Sequence, residues 1–330
     1  MLPYIHKCAR LSVIIPFYNV EKYIAECLDS VYNQDIPEED YEVICVDDAS
    51  SDTSRDIVLK YQKLHSNLIL VEHDVNKKLG AARNTGRHAA NGKYLWNVDS
   101  DDRIAPNCFG EILDKCEKND LDVLVFSFSR LNGNSLEARG LEPWLETNYV
   151  CNGATFWRQQ VLKQQGEISP VWTQVYRRDY LNEHNIWSPE INMGEDVPFT
   201  FASILSAKRL MSCNQPYYIY RHNLSSLSAA VRKMPTPESL YENCFYCSRL
   251  VFAIIPRINP LEEKIRESLL SSARYILLEY RSIFPRFDQS AKKRFVSLCR
   301  KGFLRDRSFA HILSRKQAVR HILFLISGRI

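Results

Sequence analysis

Long hydrophobic runs are missing from this sequence, and their absence argues against the membrane-spanning classes of protein. No window of the 330 residues approaches the roughly 18 consecutive apolar residues that a transmembrane helix needs. The N-terminal residues also lack an apolar core of the length that signal peptides have. The sequence therefore predicts a protein that is neither secreted nor membrane-spanning.

Paired cysteine motifs are scarce, although the chain contains ten cysteines. The one C-x-x-C motif, Cys244-Phe-Tyr-Cys247, has no second pair of the kind that a zinc site needs. It falls in a helical pattern, where both thiols would face the core one turn apart. The other cysteines are scattered, so reduced thiols and a cytoplasmic location are expected.

The charge of the chain is unevenly distributed. Residues 286–330 contain twelve Lys or Arg and two Asp, a balance of +10 within a net charge of +4, which leaves −6 for the rest. An acidic body without a recognition motif argues against nucleic acid as a partner. The basic region interleaves its charges with apolar residues at helical spacing. This pattern is typical of an amphipathic helix on an anionic membrane, or of a helical cap on the rest of the protein.

The first third of the chain alternates short apolar runs with amphipathic helical patterns. Repeated β-α-β units predict an α/β fold with a mostly parallel sheet covered by helices. Asn19 is predicted to cap the first helix. The predicted strands are Leu11–Pro16, Tyr41–Val46, Leu68–Val71, Tyr94–Val98 and Asp122–Phe126.

This alternation stops after Phe128. Residues 130–150 are predicted to be irregular, with a turn at residues 132–134. A strand is expected at residues 171–176 and a pair of strands around Leu210 and residues 217–220. From Glu238 onward the pattern predicts helices.

The most informative stretch runs from Tyr94 to Asp102, an apolar run that ends in three carboxylates. In open α/β sheets, ligands bind at the carboxyl ends of the strands. A turn at Ser100 would aim Asp99 and Asp101 at one centre, and Mg²⁺ or Mn²⁺ prefers such oxygen ligands together with substrate phosphates. The alternative is an Asx-rich turn that caps the next helix.

Two further clusters belong to the first third of the chain. Asp47-Asp48 ends a strand, where a carboxylate can accept hydrogen bonds from a nucleobase or a ribose, or can cap a helix. Arg83 lies on the helix before the central strand. Its guanidinium suits a phosphate or a base, or is an ordinary surface group.

Two clusters follow in the second part. Glu195-Asp196 precedes an apolar helix, where the helix dipole favours acidic residues whatever their function. Arg221-His222 follows the aromatic run at residues 217–220 and could clamp a diphosphate or simply end a strand.

Taken together, five motifs in this order resemble those of the family-2 inverting glycosyltransferases. The resemblance covers residues 11 to about 225 and implies a GT-A fold that uses a nucleotide sugar and a divalent metal. The motifs are Val13-Ile-Ile-Pro-Phe-Tyr-Asn19, Val46-Asp-Asp-Ala-Ser-Ser-Asp52, Gly80-Ala-Ala-Arg-Asn-Thr-Gly86, Asn97-Val-Asp-Ser-Asp-Asp102 and Gly194-Glu-Asp196.

The resemblance implies a donor site and a domain division. Pro16, Tyr18 and Asp48 would line the nucleoside pocket, with Asp48 reading a uracil-type edge. The other implied donor contacts are Arg83 to the nucleotide and Asp99 to the ribose or sugar. Arg221 is added as a donor-binding candidate from its position after the aromatic run. A catalytic domain at 1–225 is expected, with a nucleotide-sugar half at 1–130 and an acceptor half at 131–225, followed by a basic helical region at 226–330.

The resemblance also implies the chemistry. Asp101 would hold Mg²⁺ or Mn²⁺, although the adjacent Asp102 leaves open which carboxylate ligates. Asp196 would be the base, with Glu195 as the next candidate. A single displacement would invert the sugar of a nucleotide donor, expected to be a UDP-sugar. The expected acceptor is a glycan or lipid-linked saccharide, at the inner face of the cell membrane.

Two alternatives belong to other functional classes. A sugar-1-phosphate nucleotidyltransferase would show a glycine-rich phosphate loop after the first strand, where Pro16-Phe-Tyr-Asn19 stands instead. A non-catalytic nucleotide-sugar-binding subunit would have lost its chemistry, and the presence of Asp101 and Asp196 argues against it.

Overall fold

The computed structural model describes residues 9–132, 135–139, 148–160, 170–191, 194–221, 236–257, 262–305, 312–313, 317 and 321. Within these residues one ten-stranded sheet forms the centre of the protein. Its order is β3-β2-β1-β4-β9-β6-β10-β5, with β7 paired to β6 and β8 paired to β10. The strands are β1 (Leu11–Phe17), β2 (Tyr41–Asp47), β3 (Leu68–Glu72), β4 (Tyr94–Asn97), β5 (Arg103–Ile104), β6 (Val123–Asn132), β7 (Ser135–Arg139), β8 (Val150–Cys151), β9 (Gln174–Arg177) and β10 (Leu210–Arg221).

Helices pack against this sheet and extend beyond it. A single turn of π-helix, Glu242–Cys247, joins two of the later helices and is called the π turn below. The helices are α1 (Ile24–Tyr32), α2 (Ser54–Leu64), α3 (Leu79–Ala89), α4 (Phe109–Lys118), α5 (Gly153–Gln160), α6 (Arg178–Glu183), α7 (Asp196–Ser206), α8 (Pro237–Tyr241), α9 (Ser248–Phe252), α10 (Glu263–Leu278), α11 (Tyr280–Ile283) and α12 (Gln289–Arg305).

The predicted α/β fold is confirmed, and its parallel part is formed by β1 to β4. β1 pairs in parallel with β2 and β4, and β2 pairs in parallel with β3. Every residue of β1 and β2 is buried, as expected for strands covered on both faces. The second half of the sheet is mixed, because β9 runs antiparallel to both β4 and β6 while β10 is parallel to β6. The prediction of a mostly parallel sheet therefore holds for the first half.

Two predictions for the second part of the sheet were wrong. β6 and β7 pair antiparallel, so residues 130–132 and 135–139 of the region expected to be irregular belong to the sheet. Residues 133–134 of the predicted turn lie outside the described residues. The expected pair of strands around Leu210 is the single strand β10. Its pairing with β6 shifts register at Pro216, where proline has no N–H for the ladder.

The role predicted for Asn19 was also wrong. α1 begins at Ile24 without a side-chain cap. Asn19 instead adopts a φ of +52°, and its Oδ1 accepts the N–H groups of Ser51 (2.8 Å) and Asp52 (3.3 Å). It therefore ties the loop after β1 to the loop after β2.

The described C-terminal helices bury their apolar side chains. Phe295 of α12 packs against Phe245 and Tyr280, with ring centroids 6.2 and 5.7 Å away. Lys293 and Lys301 of the same helix are exposed. This part of the basic region therefore packs its apolar side on neighbouring C-terminal helices and leaves basic side chains in solvent. Within the described ranges no helix has the length and apolarity to cross a bilayer, and the nine cysteines are free thiols.

Candidate functional site

The loop after β4 lies where the carboxyl ends of the parallel strands meet, and hydrogen bonds from β10 hold it in place. The hydroxyl of Tyr218 donates to Asp102 Oδ2 (2.8 Å) and accepts the N–H of Asp99 (3.1 Å). Asp102 Oδ1 accepts the N–H of Arg221 (2.7 Å). Tyr218 and Asp102 therefore fix the position of the predicted acidic site.

These contacts separate the roles of Asp101 and Asp102. Asp102 is 2% exposed and both of its oxygens accept hydrogen bonds from the protein. Burial, reinforced by the charges of Asp101 and Asp99, raises the pKa of Asp102 well above that of an ordinary carboxyl. Asp101 is half-buried instead. Because a cation needs an ionised and accessible carboxylate, Asp101 fits a ligand position better than Asp102.

The donor set at this loop suits Mg²⁺ or Mn²⁺. The side chain of Asp99 is 26% exposed, and Asp101 follows it after one residue. Among the residues that the structure describes, no group of three or more His, Cys, Asp or Glu could form a closed metal site. Mg²⁺ is commonly held by one or two carboxylates and completed by water and substrate phosphates. The residues present fit a cation that binds together with a phosphate-bearing substrate.

Arg83 joins this loop to the second acidic cluster. α3 packs closely on β1 at Gly86. A Cβ at this position would lie only 2.4 Å from Ile14 Cγ2. Arg83 is 4% exposed, and it donates from Nη2 to Asp99 Oδ1 (2.8 Å) and from Nη1 to Glu195 Oε1 (2.5 Å). Burial alone would lower the pKa of Arg83, but the charges of Asp99 and Glu195 outweigh it and raise the pKa. The guanidinium therefore stays charged.

Glu195 and Asp196 stand at the start of α7, next to Arg83. Burial raises the pKa of Glu195 to about 7, with Arg83 opposing this shift and Asp196 reinforcing it. Burial also raises the pKa of Asp196, with Arg83 again opposing and Asp99 reinforcing the shift. A carboxylate with a raised pKa is a better proton acceptor near neutral pH. The pair can therefore serve general-base chemistry.

Asp48 follows β2 and orders the segment before α3. Its Oδ1 lies 2.7 Å from His73 Nδ1 and accepts the N–H of Lys77 (2.7 Å), while its Oδ2 accepts the N–H of Lys78 (2.9 Å). Lys78 has a φ of +80°, a region that residues other than glycine rarely adopt. The hydrogen bonds to Asp48 help to hold it there.

Pro16 and Tyr18 lie at the end of β1, next to the Asp48 loop. The N–H of Asp48 donates to the carbonyl of Phe17 (2.9 Å). Pro16 is buried at a point where the pairing of β1 with β4 has ended. Tyr18 is 49% exposed, so one aromatic ring is accessible for stacking on a base.

Arg221 has partners within the protein. Its Nη2 donates to the carboxylate of Glu26, and its Nε donates to the carbonyl of Asp101 (3.0 Å). Its guanidinium also lies over the ring of Tyr23, 5.3 Å from the centroid. Arg221 therefore braces the acidic loop, and its contact with a diphosphate stays a prediction. His222 lies outside the described residues.

The structure brings Arg83, Asp99 and Glu195 into direct contact, with Asp196 beside them. Sequence reasoning missed Tyr218 and His73. The aromatic run of β10 was a signal for Tyr218, but its partner Asp102 is 116 residues away. His73 directly follows β3 at the edge where β2 ends. The position of a polar residue at that edge could have identified it.

The mixed α/β sheet, with an acidic loop after β4, agrees with the GT-A fold that the motifs predict. The chain belongs to glycosyl transferase family 2, whose family model matches residues 12–184. This membership supports the resemblance seen in the motifs. The chain is therefore a glycosyltransferase, and not the sugar-1-phosphate nucleotidyltransferase or the non-catalytic subunit considered as alternatives.

Known proteins resemble the chain over most of its length. It is 32% identical over 246 residues to the uncharacterized glycosyltransferase EpsJ of Bacillus subtilis, covering 73% of this chain and 69% of EpsJ. It is 33% identical over 236 residues to a poly(ribitol-phosphate) beta-glucosyltransferase of Bacillus spizizenii, covering 70% of this chain. The match spans 35% of that longer enzyme.

A solved structure shares the fold. Residues 1–349 of TarS from Staphylococcus aureus, in complex with UDP, superpose with a TM-score of 0.66 and 26% sequence identity. The superposition covers 88% of this chain and 80% of that chain.

Proposed function

We propose that this protein transfers a sugar from a UDP-sugar to a hydroxyl of a cell-envelope glycan polymer or lipid-linked saccharide, with inversion at the anomeric carbon. The observation that carries the proposal is the position of Arg83 between Asp99 and Glu195. The first carboxylate belongs to the loop expected to bind the donor, and the second precedes the expected base. The buried guanidinium of Arg83 therefore holds together the donor side and the base side of the proposed transfer site.

The donor side is formed by Pro16, Tyr18, Asp48 and Asp99. The UDP bound in the TarS structure supports a uridine nucleotide here. Tyr18 offers its exposed ring to the base. Asp48 is 4% exposed and its oxygens already accept the N–H groups of Lys77 and Lys78, so a base N–H would share these acceptors. Arg83 is buried against carboxylates, so its effect on the donor is exerted through Asp99.

Asp101, with Asp99 beside it, would hold Mg²⁺ or Mn²⁺. Such a cation, when bound, neutralises charge that develops on the leaving diphosphate. Asp102 and Tyr218 keep the ligating loop in place, and Arg221 braces it from the side of Glu26.

Asp196 removes the proton of the acceptor hydroxyl as that oxygen attacks the anomeric carbon. A base on the face opposite the leaving group gives a single displacement, which inverts the configuration. An α-linked donor then gives a β-linked product, which is the linkage in the name of the Bacillus spizizenii beta-glucosyltransferase. Glu195 keeps Arg83 next to this base.

A contact with an anionic membrane surface is also part of the proposal. Because the apolar side of α12 is packed inside, this contact would be electrostatic and would use exposed residues such as Lys293 and Lys301. It would keep a peripheral enzyme at the inner face of the membrane, near a lipid-linked acceptor.

A donor screen tests the proposed function without knowledge of the acceptor. Release of nucleotide from UDP-, GDP- and dTDP-sugars is measured with Mn²⁺, with Mg²⁺ and with a chelator. Hydrolysis of a UDP-sugar that requires the metal is expected. Hydrolysis that prefers GDP- or dTDP-sugars would contradict the donor assignment, and hydrolysis unaffected by chelation would contradict the metal assignment.

A further inference from the structure

The π turn at Glu242–Cys247 lies against both halves of the site described above. Single turns of π-helix such as this one are rare and are frequently found at functional sites. This one belongs to the C-terminal helices, whereas the family model ends at residue 184. Its two ends contact different parts of the active site, and those contacts are the basis of the inference.

The first end of the turn holds the donor side. The ammonium group of Lys78 donates hydrogen bonds to Glu242 Oε1 (3.0 Å) and Oε2 (3.2 Å). The N–H of Lys78 is also held by Asp48, and its φ of +80° is a conformation that needs support from its surroundings. Glu242 therefore fixes the side chain of a residue whose backbone Asp48 already fixes.

The other end of the turn holds the base side. The thiol of Cys247 donates to the carbonyl of Gly194 (3.3 Å), the residue before Glu195. Burial raises the pKa of Cys247, and the charges of Glu195 and Asp196 reinforce the shift, so the thiol stays protonated and can donate.

Gly194 is fitted closely to the π turn. It has a φ of +78°, and a Cβ there would lie 2.5 Å from Asn243 Oδ1 and 3.2 Å from Cys247 Sγ. Both its conformation and its surroundings therefore favour glycine. The backbone that leads into Glu195 and Asp196 is thus packed directly on the π turn.

We propose that the π turn keeps the donor side and the base side of the active site in register, with Glu242 and Cys247 as positioning residues. The inference rests on the proposed function, because it takes Asp48 as a donor-binding residue and Asp196 as the base. Glu242 acts through Lys78 on donor affinity. Cys247 acts through Gly194 on the placement of Asp196. The C-terminal helices are then a working part of the transferase.

The first experiment measures donor binding for Glu242→Gln in the full chain. The KM for the UDP-sugar and the calorimetric Kd for UDP should rise about two- to fivefold, the range expected for a partly exposed ion pair, while kcat is retained. Glu238→Gln is the matched control, because Glu238 pairs with Arg294 at the surface of the same region. It should leave both constants unchanged. Equal changes in the two variants, or none in either, would overturn the role of Glu242.

The second experiment measures turnover for Cys247→Ala and Cys247→Ser. The alanine variant should lower kcat roughly three- to tenfold at unchanged KM, less than the hundredfold that a displacement of about 1 Å can cost. The serine variant retains a donor and should recover most of that loss. Cys244→Ala is the control, since Cys244 is equally buried one turn earlier. It should lower thermal stability by a similar amount without lowering kcat.

The outcomes distinguish this inference from the proposed function. If the wild-type protein binds no UDP and hydrolyses no UDP-sugar, the proposed function has failed. If the wild type is active and Cys247→Ala matches Cys244→Ala in kcat, the π turn is only structural and the inference is wrong.

Discussion

Arg83 and Glu195 are joined by a 2.5 Å contact between Nη1 and Oε1, although 112 residues separate them in the chain. Both side chains are nearly inaccessible to solvent, at 4% and 6% exposure. A buried ion pair contributes little net stability, but removal of one partner leaves a buried charge unpaired. The contact is therefore best explained by the site that it assembles.

Replacement of Arg83 by Met should lower both stability and activity. Asp99 and Glu195 would lose their shared cation, at a cost of about 3–5 kcal/mol in the free energy of unfolding. Urea denaturation measures this loss, and kcat measured on the folded fraction should fall as well. Arg87→Met is the control, because Arg87 lies one turn further along α3 and contacts Ile186 and Asn182. It should cost stability and leave kcat intact, so equal kcat losses would contradict a specific role for Arg83.

Stability should depend on pH through Glu195. Its pKa of about 7 in the folded state exceeds the ordinary 4.5, so the folded protein binds this proton more tightly than the unfolded chain does. The stabilisation is complete below pH 4.5 and is lost as the pH rises through 7. The unfolding free energy should therefore fall by on the order of 3 kcal/mol across this window. Glu195→Gln should weaken the dependence without removing it, because burial also raises the pKa of Asp196 and Asp102. Identical pH profiles for the two proteins would show that Glu195 is not responsible.

Asp101 and Asp102 should respond differently to replacement by Asn. Asp101→Asn should abolish the metal-dependent part of UDP affinity in calorimetry while the circular dichroism spectrum is unchanged. Asp102→Asn should cost about 1 kcal/mol of stability through its contacts with Tyr218 and Arg221, and should retain the metal dependence. The reverse pattern would identify Asp102 as the ligand.

Flotation with anionic vesicles tests the basic surface of α12. The wild-type chain should float at low salt and be released at high salt. A double charge reversal, Lys293→Glu with Lys301→Glu, should abolish flotation, since each basic residue near such a surface contributes roughly 1 kcal/mol. Lys60→Glu with Lys63→Glu reverses two exposed charges on α2 and should float like the wild type. Identical behaviour of both double variants would exclude α12 as the membrane contact.

The local signals in the sequence were sufficient for the first half of the fold. The buried runs of β1, β2 and β4 and the amphipathic face of α1 were identified, because their patterns are set by neighbours in the chain. β9 was recognised as a strand, but its antiparallel insertion between β4 and β6 was not, because pairing between distant strands leaves no local pattern. The register shift at Pro216 likewise depends on contacts with β6.

The candidate site shows the same division. Asp99, Asp101 and Asp196 are predictions from short motifs, whereas the direct contact of Arg83 with Asp99 and Glu195 could not be predicted from them. Contacts such as Lys78 with Glu242 join residues 164 positions apart, and only the fold brings them together. The division of the chain into domains at residue 225 stays a prediction.

The central claim is that Asp196 is the base, and Asp196→Asn tests it most directly. With the UDP-sugar found in the donor screen, kcat should fall by about 10²–10⁴, while the Kd for UDP stays within a factor of about two. Asp179→Asn is the control, because Asp179 occupies the first turn of α6 and is 69% exposed; it should be fully active. Weakened UDP binding with normal turnover at saturating donor would contradict the account, and Glu195 would then be the next candidate for the base.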